Sequence, residues 1–366
     1  MSEVKIKLAA GTNVGLVRQN NEDNFVVSSD LSTSEWLVPQ AGPYADLGEL
    51  GALLVVADGM GGANAGEVAS AIAVETIQNK YTPEALKDVI GDDKSIQEFM
   101  KDVVKEADLN IFNHSKEDKS TQGMGTTIVM AWLLGNKAYV CWCGDSRCYV
   151  LNKKHGLIQL SKDHSYVQEL VDKGELSPDL MHDHPLSNVI TRCLGDTENR
   201  ADPETRIYQL HNGDIIMLCS DGLCGICHDD AILDTMIQFH EDPMECKNEL
   251  ISMALSAGGY DNVTIAVANI LNDEEPEEES QKEEENGKEK DNDTQEEEDD
   301  LSTTVRCEVI GHRTKKRRWK YFLLLLLLLV IGASVYLWLA KDTDPTKQAI
   351  LSYVTPYWEK LMSYVK

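Results

Sequence analysis

The sequence predicts an α+β fold in which β-sheets are covered by helices. Short apolar segments rich in β-branched residues recur within residues 1–271, flanked by Gly, Asn and Asp, which is typical of buried strands. Helical periodicity appears between them without a regular alternation of strand and helix, and this disfavours a doubly wound parallel sheet. Of the 366 residues, 42% are hydrophobic, which is enough for a sizeable core.

The predicted elements lie in one segment, residues 1–271, which we interpret as a single globular domain. The predicted strands cover residues 53–57, 126–134, 138–142, 215–219 and 263–270. One predicted helix follows Gly66, and three further helices are predicted at residues 95–112, 164–173 and 243–256. Residues 33–49 hold two Pro and two Gly, so we predict a surface loop there.

The formal net charge of −28 is concentrated in one tract. Residues 273–300 carry 17 Asp and Glu against 3 Lys, a net of −14, so half of the excess lies there. Such a composition buries too little apolar area to offset the entropy of ordering. We predict that residues 272–312 form an acidic disordered linker, with an acidic interaction tail as the alternative. Because the chain lacks a basic balance, no nucleic-acid partner is expected.

The nine cysteines are odd in number and form no disulfide-like pattern. Several lie within apolar segments, where a reduced cysteine behaves as a small hydrophobic residue. The N-terminus has no long apolar segment of the kind found in secretory signals, so we place the globular domain in a reducing compartment. Cys224 and Cys227 have a zinc-like spacing, but no second pair completes a closed zinc site.

A strongly hydrophobic segment lies near the C-terminus. Residues 321–340 contain no charge and include seven consecutive Leu. A helix of that length spans a bilayer core of ~30 Å at ~1.5 Å per residue, so we predict a single transmembrane helix. The basic juxtamembrane segment, residues 313–320, places the N-terminal domain in the cytoplasm by the positive-inside rule. Residues 341–366 are then a short non-cytoplasmic tail, either an interfacial helix or a partner site.

Four aspartates stand at the ends of predicted strands. Asp58, Asp145 and Asp221 follow apolar segments, and Asp261 precedes one. Any single one of them could simply cap a turn. Four carboxylates that converge at the rim of a packed core, however, repel one another unless a cation is present. Oxygen ligands favour a hard divalent ion, so the pattern predicts a site for Mg²⁺ or Mn²⁺.

Two neighbouring features point to the same site. Arg18, Glu22 and Asp23 fall within six residues. A guanidinium matches phosphate oxygens bidentately, and either carboxylate could bind a metal or its waters. Gly59 directly follows Asp58, and its missing Cβ lets its carbonyl approach a metal closely. The glycine-rich sequence after Asp58 completes neither the dinucleotide-binding fingerprint nor a P-loop.

Taken together and in order, these residues resemble the metal-dependent protein phosphatase family, type 2C, in its bacterial form. The resemblance runs from Gly15 to Ala268. It rests on eight motifs in the family's order, at residues 15–18 with 21–23, 58–62 with 65–67, 123–127, 144–147, 160–165, 190–195, 220–223 and 261–264. One such motif would be weak evidence, whereas eight in order are specific.

The resemblance implies a central antiparallel β-sandwich flanked by helices on both sides (α-β-β-α), with a metal centre at one end. The residues implied to hold two Mg²⁺ or Mn²⁺ ions, with a third and weaker site, are Glu22, Asp23, Asp58, Gly59, Asp145, Asp221 and Asp261. Asp58 would bridge the two ions, and Asp145 with Asp221 would form the third site. Arg18, which would bind the substrate phosphate, is the implied catalytic residue together with Asp58 and Asp221.

The implied activity is hydrolysis of phosphoserine and phosphothreonine in proteins, by in-line attack of a water held between two metal ions. A serine/threonine kinase is the implied opposing partner, by family analogy alone. Met60 stands where eukaryotic members often carry His, and a thioether cannot donate a proton, so the general acid has no candidate. His164 and His184 lie in a segment that resembles the flap beside the active site.

Two other functions are compatible with the sequence. A pseudo-enzyme would signal through the transmembrane segment and tail, but pseudophosphatases lose metal ligands and all four aspartates are present here. A phosphatase of small metabolites would keep the same metal site. The predicted membrane tether and linker fit protein substrates better.

Overall fold

Two antiparallel β-sheets pack face to face between layers of helices. The computed structural model describes residues 4–33, 35–36, 43–61 and 65–272. The chain divides into two units, Met1–Ile310 and Gly311–Lys366, and every described residue belongs to the first unit.

The described residues form thirteen strands and seven α-helices. The strands are β1 (Val4–Asn13), β2 (Asn24–Ser28), β3 (Ala45–Asp46), β4 (Ala52–Ala57), β5 (Gly59–Met60), β6 (Gly125–Thr126), β7 (Ile128–Leu134), β8 (Lys137–Cys143), β9 (Arg147–Asn152), β10 (Gly156–Gln159), β11 (Glu204–Gln209), β12 (Ile215–Cys219) and β13 (Val263–Asn272). The helices are α1 (Ala65–Lys80), α2 (Pro83–Val89), α3 (Asp93–Glu117), α4 (Tyr166–Asp172), α5 (Asp221–Cys224), α6 (Asp229–Gln238) and α7 (Pro243–Ser256).

The two sheets are built entirely from antiparallel pairs. The first sheet has the strand order β10-β9-β12-β13-β1-β3, and the second has the order β11-β8-β7-β4-β2. A two-stranded ladder joins β5 and β6. The first and last described strands, β1 and β13, pair over ten residues, from Val4 opposite Asn272 to Asn13 opposite Val263.

Side chains of β4 alternate between two cores, as the period of a strand requires. Leu53, Val55 and Ala57 pack in the core beneath α1 and α3, while Leu54 and Val56 pack in the core between the sheets. Because both faces are covered, every position of β4 is buried and apolar. This explains why the central strands appear in the sequence as uninterrupted apolar segments.

Helices cover both outer faces of the sandwich. Helices α1, α2 and α3 pack on the second sheet, and α5, α6 and α7 pack on the first sheet. A third core lies between the sheets themselves. The four layers confirm the expected α-β-β-α order.

The sequence located β4, β8, β12, β13, α4 and α7 to within about two residues. Helix α3 extends five residues beyond the predicted 95–112, and β2, β9, β10, β11, α2 and α6 were not predicted. The predicted strand at 215–219 and the predicted helix at 243–256 coincide with β12 and α7. The segment 126–134, predicted as one strand, is divided at Thr127 into β6 and β7. Strand β1 was not predicted, although Val4, Ile6 and Leu8 alternate with lysines in the manner of a half-buried strand.

The predicted loop at 33–49 contains a short strand in its described part. Strand β3 pairs with β1 at the edge of the first sheet, with Ile6 opposite Ala45. Residues 34 and 37–42 of this segment lie outside the described residues.

The predictions for the C-terminal part of the chain concern residues that the structure does not describe. The linker (272–312, apart from Asn272), the basic segment (313–320), the transmembrane helix (321–340) and the tail (341–366) all lie there. Within the described ranges, no helix has both the length and the apolar character needed to cross a membrane.

Candidate metal centre

The four predicted aspartates meet at one end of the sandwich. Strands β12 and β13 are antiparallel neighbours, so the end of β12 and the start of β13 bring Asp221 and Asp261 together. Strands β4 and β8 flank β7 and run in the same direction, so Asp58 and Asp145 follow them at one end of the second sheet. One cleft of about 240 Å³ is lined by Arg18, Glu22, Asp58, Gly59, Met60, Gly61, Thr127, Asn188, Ile190, Asp145, Asp221 and Asp261.

Asp58 is held in place by Thr126, the last residue of β6, and Thr127, which separates β6 from β7. The Thr127 backbone N–H and the Thr126 hydroxyl both donate to the Asp58 carbonyl, at 2.9 Å each. The Asp58 N–H donates in return to the Thr127 hydroxyl at 3.2 Å, and that hydroxyl also bonds the buried Ser146 hydroxyl at 2.7 Å. These contacts fix the backbone from which the Asp58 carboxylate reaches the cleft.

Gly59 occupies a position that no larger residue could fill. A Cβ atom there would meet the backbone carbonyl oxygens of Gly66 and Glu22. The Gly59 N–H donates to the Glu22 carbonyl at 3.2 Å, so the chain segments of Asp58 and Glu22 lie side by side. The glycine is therefore required by packing, whether or not its own carbonyl binds a metal.

Asn262 joins the N-terminal polar segment to the start of β13. Its side-chain N–H₂ donates to the carbonyls of Val14 and Asn20, and its Oδ1 accepts the Glu22 N–H at 2.8 Å. Asn262 is only 4% exposed. Because these three bonds span the segment that carries Arg18, they set where its guanidinium enters the cleft.

Asp145 follows β8 in a turn that His164 holds from two sides. The Gly144 N–H donates to Nδ1 of His164 at 3.2 Å, and the His164 N–H donates to the Gly144 carbonyl at 2.9 Å. Since Nδ1 accepts, the ring carries its proton on Nε2, which lies 3.2 Å from Oε1 of Glu204. His164 is thus a buried structural histidine that positions Asp145, rather than a residue of the cleft surface.

The cleft carboxylates raise one another's pKa values. Burial is the largest cause for Asp58, Asp145 and Asp221, and repulsion from neighbouring carboxylates raises each pKa further. Burial likewise raises the pKa of Glu22. A hydrogen bond from Arg18 to Asp261 raises the pKa of that guanidinium and offsets part of the negative charge. Several buried carboxylates with one cation among them form a donor set that suits Mg²⁺ or Mn²⁺.

Asp23 lies behind the cleft rather than in its lining. Its Oδ2 accepts hydroxyl hydrogen bonds from Ser220 at 2.7 Å and Thr264 at 2.6 Å. Burial raises its pKa to about 7. The structure therefore gives Glu22, and not Asp23, direct access to the cleft. The role of Asp23 as a metal ligand or water anchor stays a prediction.

A thiol-based mechanism is excluded at the one described cysteine whose spacing suits it. Cys141 and Arg147 have the Cys-x5-Arg spacing of thiol-dependent phosphatases. Cys141 is fully buried in β8 among the residues beneath α3, and burial raises its pKa to about 12. The Arg147 guanidinium is held by Asp163 at 2.6 Å. Neither a thiolate nor a free guanidinium is available there.

Several residues of the site were not singled out from the sequence. Thr127 bonds the backbone of Asp58, Asn262 anchors the segment of Arg18 and Glu22, and Asn188 and Ile190 line the cleft from the segment between β10 and β11. Thr127 and Asn262 lie inside motifs that were recognised, but their side-chain bonds depend on contacts with distant segments. Ile190 begins the recognised motif at residues 190–195, whereas Asn188 lies outside every motif and carries no local pattern that marks it as a cleft residue.

The motifs, the fold and the cleft agree with a known family. The family model for protein phosphatase 2C matches residues 44–256. The chain belongs to the protein phosphatase 2C family. It is 32% identical over 267 residues to the serine/threonine protein phosphatase PstP of Mycobacterium tuberculosis. The aligned region covers 73% of this chain but only 45% of PstP. It is 30% identical over 254 residues to the serine/threonine phosphatase stp of Listeria monocytogenes, covering 69% of this chain and 92% of that protein.

Solved structures of phosphatase 2C relatives share the fold. The crystal structure of M. tuberculosis PstP superposes with a TM-score of 0.60 over 73% of this chain and 99% of that one, at 32% identity. The PstP catalytic domain has also been solved in complex with two manganese ions, and it matches with a TM-score of 0.58. These comparisons confirm the predicted family and sandwich fold, and the family match covers residues 44–256.

Proposed function

We propose that this chain hydrolyses phosphoserine and phosphothreonine in proteins with the help of two Mg²⁺ or Mn²⁺ ions. The observation that carries the proposal is the convergence of Arg18 with Asp58, Asp145, Asp221 and Asp261 on one cleft. A cation that binds phosphate thus lies beside a set of buried carboxylates that need a divalent ion. The two manganese ions in the PstP catalytic domain support the same use of the cleft.

Each cleft carboxylate has a proposed place in this centre. Asp58, Asp221 and Asp261, with the Gly59 carbonyl, would hold the two ions, and Glu22 would hold their waters. Asp145 with Asp221 would hold a third, weaker ion. When bound, the ions supply a water of lowered pKa and the positive charge that stabilises the transferring phosphoryl group.

Arg18 is suited to orient the substrate. Half of its side chain is exposed, and its Nη2 donates a hydrogen bond to Oδ2 of Asp261 at 2.6 Å. A guanidinium has five N–H donors, so Arg18 can keep this contact and still bind two phosphate oxygens. The phosphate is then held at the edge of the carboxylate cluster.

Two residues of the flap segment, defined here as residues 165–195, extend the cleft wall. Asn188 and Ile190 line the cleft, and Ile190 forms a β-bridge with Ser165 that joins the beginning of the flap segment to its end. An amide and an apolar side chain at this place would contact the residues that flank a phosphorylated Ser or Thr. Met60 also lines the cleft but cannot donate a proton to the leaving group.

The test is phosphate release by the full chain from a phosphothreonine peptide and, in parallel, from phosphorylated sugars. We expect release from the peptide with Mn²⁺, none with a chelator, and none from Asp58→Asn. Asp234→Asn removes an exposed carboxylate on α6 and should leave activity unchanged. Faster release from the sugars would favour a metabolite phosphatase, and a folded chain that binds Mn²⁺ but releases nothing would favour a pseudo-enzyme.

We also propose that residues 321–340 tether the phosphatase domain to a membrane, with the domain on the cytoplasmic side. The support is the uncharged 20-residue segment and the basic residues before it. The tether would raise the local concentration of the domain near membrane substrates, including those of an opposing serine/threonine kinase. The full chain should stay in the membrane pellet after alkaline carbonate extraction, and a variant that lacks residues 321–340 should be released. Release of both would overturn the tether.

A further inference from the structure

Two histidines and an aspartate form a cluster outside the carboxylate cleft. His182 and Asp183 belong to the flap segment, and His228 lies between α5 and α6. Their ligand atoms lie within 4.8 Å of one another. None of the three residues lines the cleft, so the cluster is separate from the centre described above.

The two imidazole rings are already brought together without a metal. The ring centroids of His182 and His228 are 4.1 Å apart, and the ring planes are inclined by 31°. The residues come from segments 46 positions apart in sequence, and the contact joins the flap segment to the start of α6. Metal bonds of about 2.0–2.2 Å would draw the ligand atoms closer together than they are in this arrangement.

The ring nitrogens of His182 make no hydrogen bond to any described residue. Both Nδ1 and Nε2 are shielded from solvent and have no hydrogen-bond partner among the described residues. Nδ1 lies 3.6 Å from Oδ1 of Asp183, which is too far for a hydrogen bond. Shielded polar nitrogens without a partner are unfavourable, so their position calls for a ligand.

The His228 side chain is also available to bind a ligand. It occupies the N-cap position of α6, but its side chain makes no capping hydrogen bond. The imidazole is exposed and is not a preferred capping group. Asp183, whose side chain is 77% exposed, completes the group with a carboxylate.

We propose that His182, Asp183 and His228 form a binding site for a transition-metal ion, with zinc as the expected occupant. Two neutral imidazoles and a carboxylate match the ligand preference of Zn²⁺, whereas the oxygen-only cleft suits Mg²⁺ or Mn²⁺. Three protein ligands leave a fourth position for water. The chain therefore sorts two kinds of divalent ion into two sites by donor chemistry.

The site links zinc to the geometry of the flap segment. A metal bound there fastens His182 and Asp183 to the fixed start of α6. Asn188 and Ile190, which line the cleft, follow within eight residues of His182. Zinc binding thus restrains the segment that forms one wall of the cleft, and the metal-binding step itself does not depend on phosphatase activity.

The experiment is a Zn²⁺ titration of the full chain against a chromophoric chelator, with millimolar Mg²⁺ present to occupy the cleft. We expect one equivalent of Zn²⁺ to bind the parent chain and the His155→Ala control, which removes an exposed histidine outside the cluster. His228→Ala and Asp183→Asn should weaken binding at least about tenfold, since even residues behind a metal's ligands change its affinity by ~10–100-fold. Both side chains are exposed, and melting curves without metal check that the variants fold.

The same titration in Asp58→Asn separates the two sites. Retention of the Zn²⁺ equivalent in that variant supports the cluster, whereas its loss would assign the ion to the cleft and overturn the proposal. Equal Zn²⁺ affinity in the parent and His228→Ala would also overturn it. Hydrogen exchange provides a second readout, because Zn²⁺ should slow exchange in the flap segment of the parent chain but not of His228→Ala.

Discussion

The Nη2 atom of Arg18 donates a 2.6 Å hydrogen bond to Oδ2 of Asp261, although 243 positions separate the two residues. The predicted phosphate-binding cation and a predicted metal ligand thus form one ion pair. Their side chains are 50% and 32% exposed, so solvent screens the pair and it adds little to stability. The ion pair matters instead for position, because it holds the Arg18 guanidinium at the cleft before a substrate binds.

Arg18→Ala should lower kcat/KM for a phosphopeptide by about 10–100-fold. A hydrogen bond to a charged group contributes ~1.5–3 kcal/mol, which corresponds to that range. Arg18→Lys should fall between the parent and Arg18→Ala, because lysine keeps the charge but not the planar fork. Steady-state kinetics measures the effect, and Lys94→Ala, an exposed cation on α3, is the control. An unchanged kcat/KM in Arg18→Ala would remove this residue from substrate binding.

Asp58→Asn should abolish activity while stabilising the metal-free domain. Burial and the charges of Asp221, Asp23 and Asp145 raise the pKa of Asp58, so its ionised form is destabilised in the folded domain unless a cation is present. We expect the free energy of unfolding to increase by about 0.5–2 kcal/mol in the presence of a chelator. Urea unfolding measures this change, with Asp234→Asn as the control. A less stable metal-free variant would contradict the electrostatic account.

Asn262→Ala should weaken both the domain and its metal binding. The substitution leaves the Val14 and Asn20 carbonyls and the Glu22 N–H without this partner. An unsatisfied buried polar group costs about 1–3 kcal/mol, and we expect a loss of stability in that range. Urea unfolding and Mn²⁺ titration report the two effects. A destabilised variant with unaltered Mn²⁺ affinity would show that the N-terminal segment does not help to form the metal centre.

The folded domain favours the neutral form of the His164 imidazole, so the domain should become less stable as the pH falls below about 6.5. Burial and the nearby Arg192 lower the pKa of this imidazole in the folded state, although Glu204 and Asp163 oppose them. Between the folded pKa and the ordinary value of ~6.5, the unfolded chain binds more protons, so stability rises with pH. The contribution is present above pH ~6.5 and is lost as the pH falls through the folded pKa.

His164→Gln isolates this effect because glutamine does not titrate. The free energy of unfolding, measured in urea from pH 5.5 to 7.5 with chelator, should depend less steeply on pH in the variant than in the parent. His184→Gln removes a partly exposed histidine of the flap segment and should leave the parent slope unchanged. Equal slopes in the parent and His164→Gln would assign the pH dependence to other groups.

Local patterns located several elements that carry a strong burial or helical signal, although strand β9, buried at five of its six positions, was not predicted. Strand β12 and helix α7 were located to the residue, because uniform burial or a clear helical period leaves a strong signal over a short window. Strand β11, by contrast, is partly exposed at every position and carries no such signal. Strands β5 and β6 have two residues each and are defined only by pairing with one another.

The candidate site likewise has residues that could be predicted from the sequence and residues whose position could not. Asp58, Asp145, Asp221 and Asp261 were visible because each adjoins an apolar segment, and their convergence follows from strand directions. The position of Asp23 behind the cleft could not be anticipated. It depends on hydroxyls from Ser220 and Thr264, about 200 and 240 positions away, and no local pattern encodes such contacts.

The pairing of β1 with β13 determines when the domain can be completed during synthesis. Strand β13 lies between β12 and β1, so the first sheet remains divided until the ribosome has released the last residues of the domain. Asp261 and Asn262 arrive with that strand, and Asn262 is the residue that anchors the segment of Arg18 and Glu22. A nascent or prematurely terminated chain therefore has most of the helices and strands but no finished centre. The cleft is therefore completed only after translation has delivered both ends of the domain.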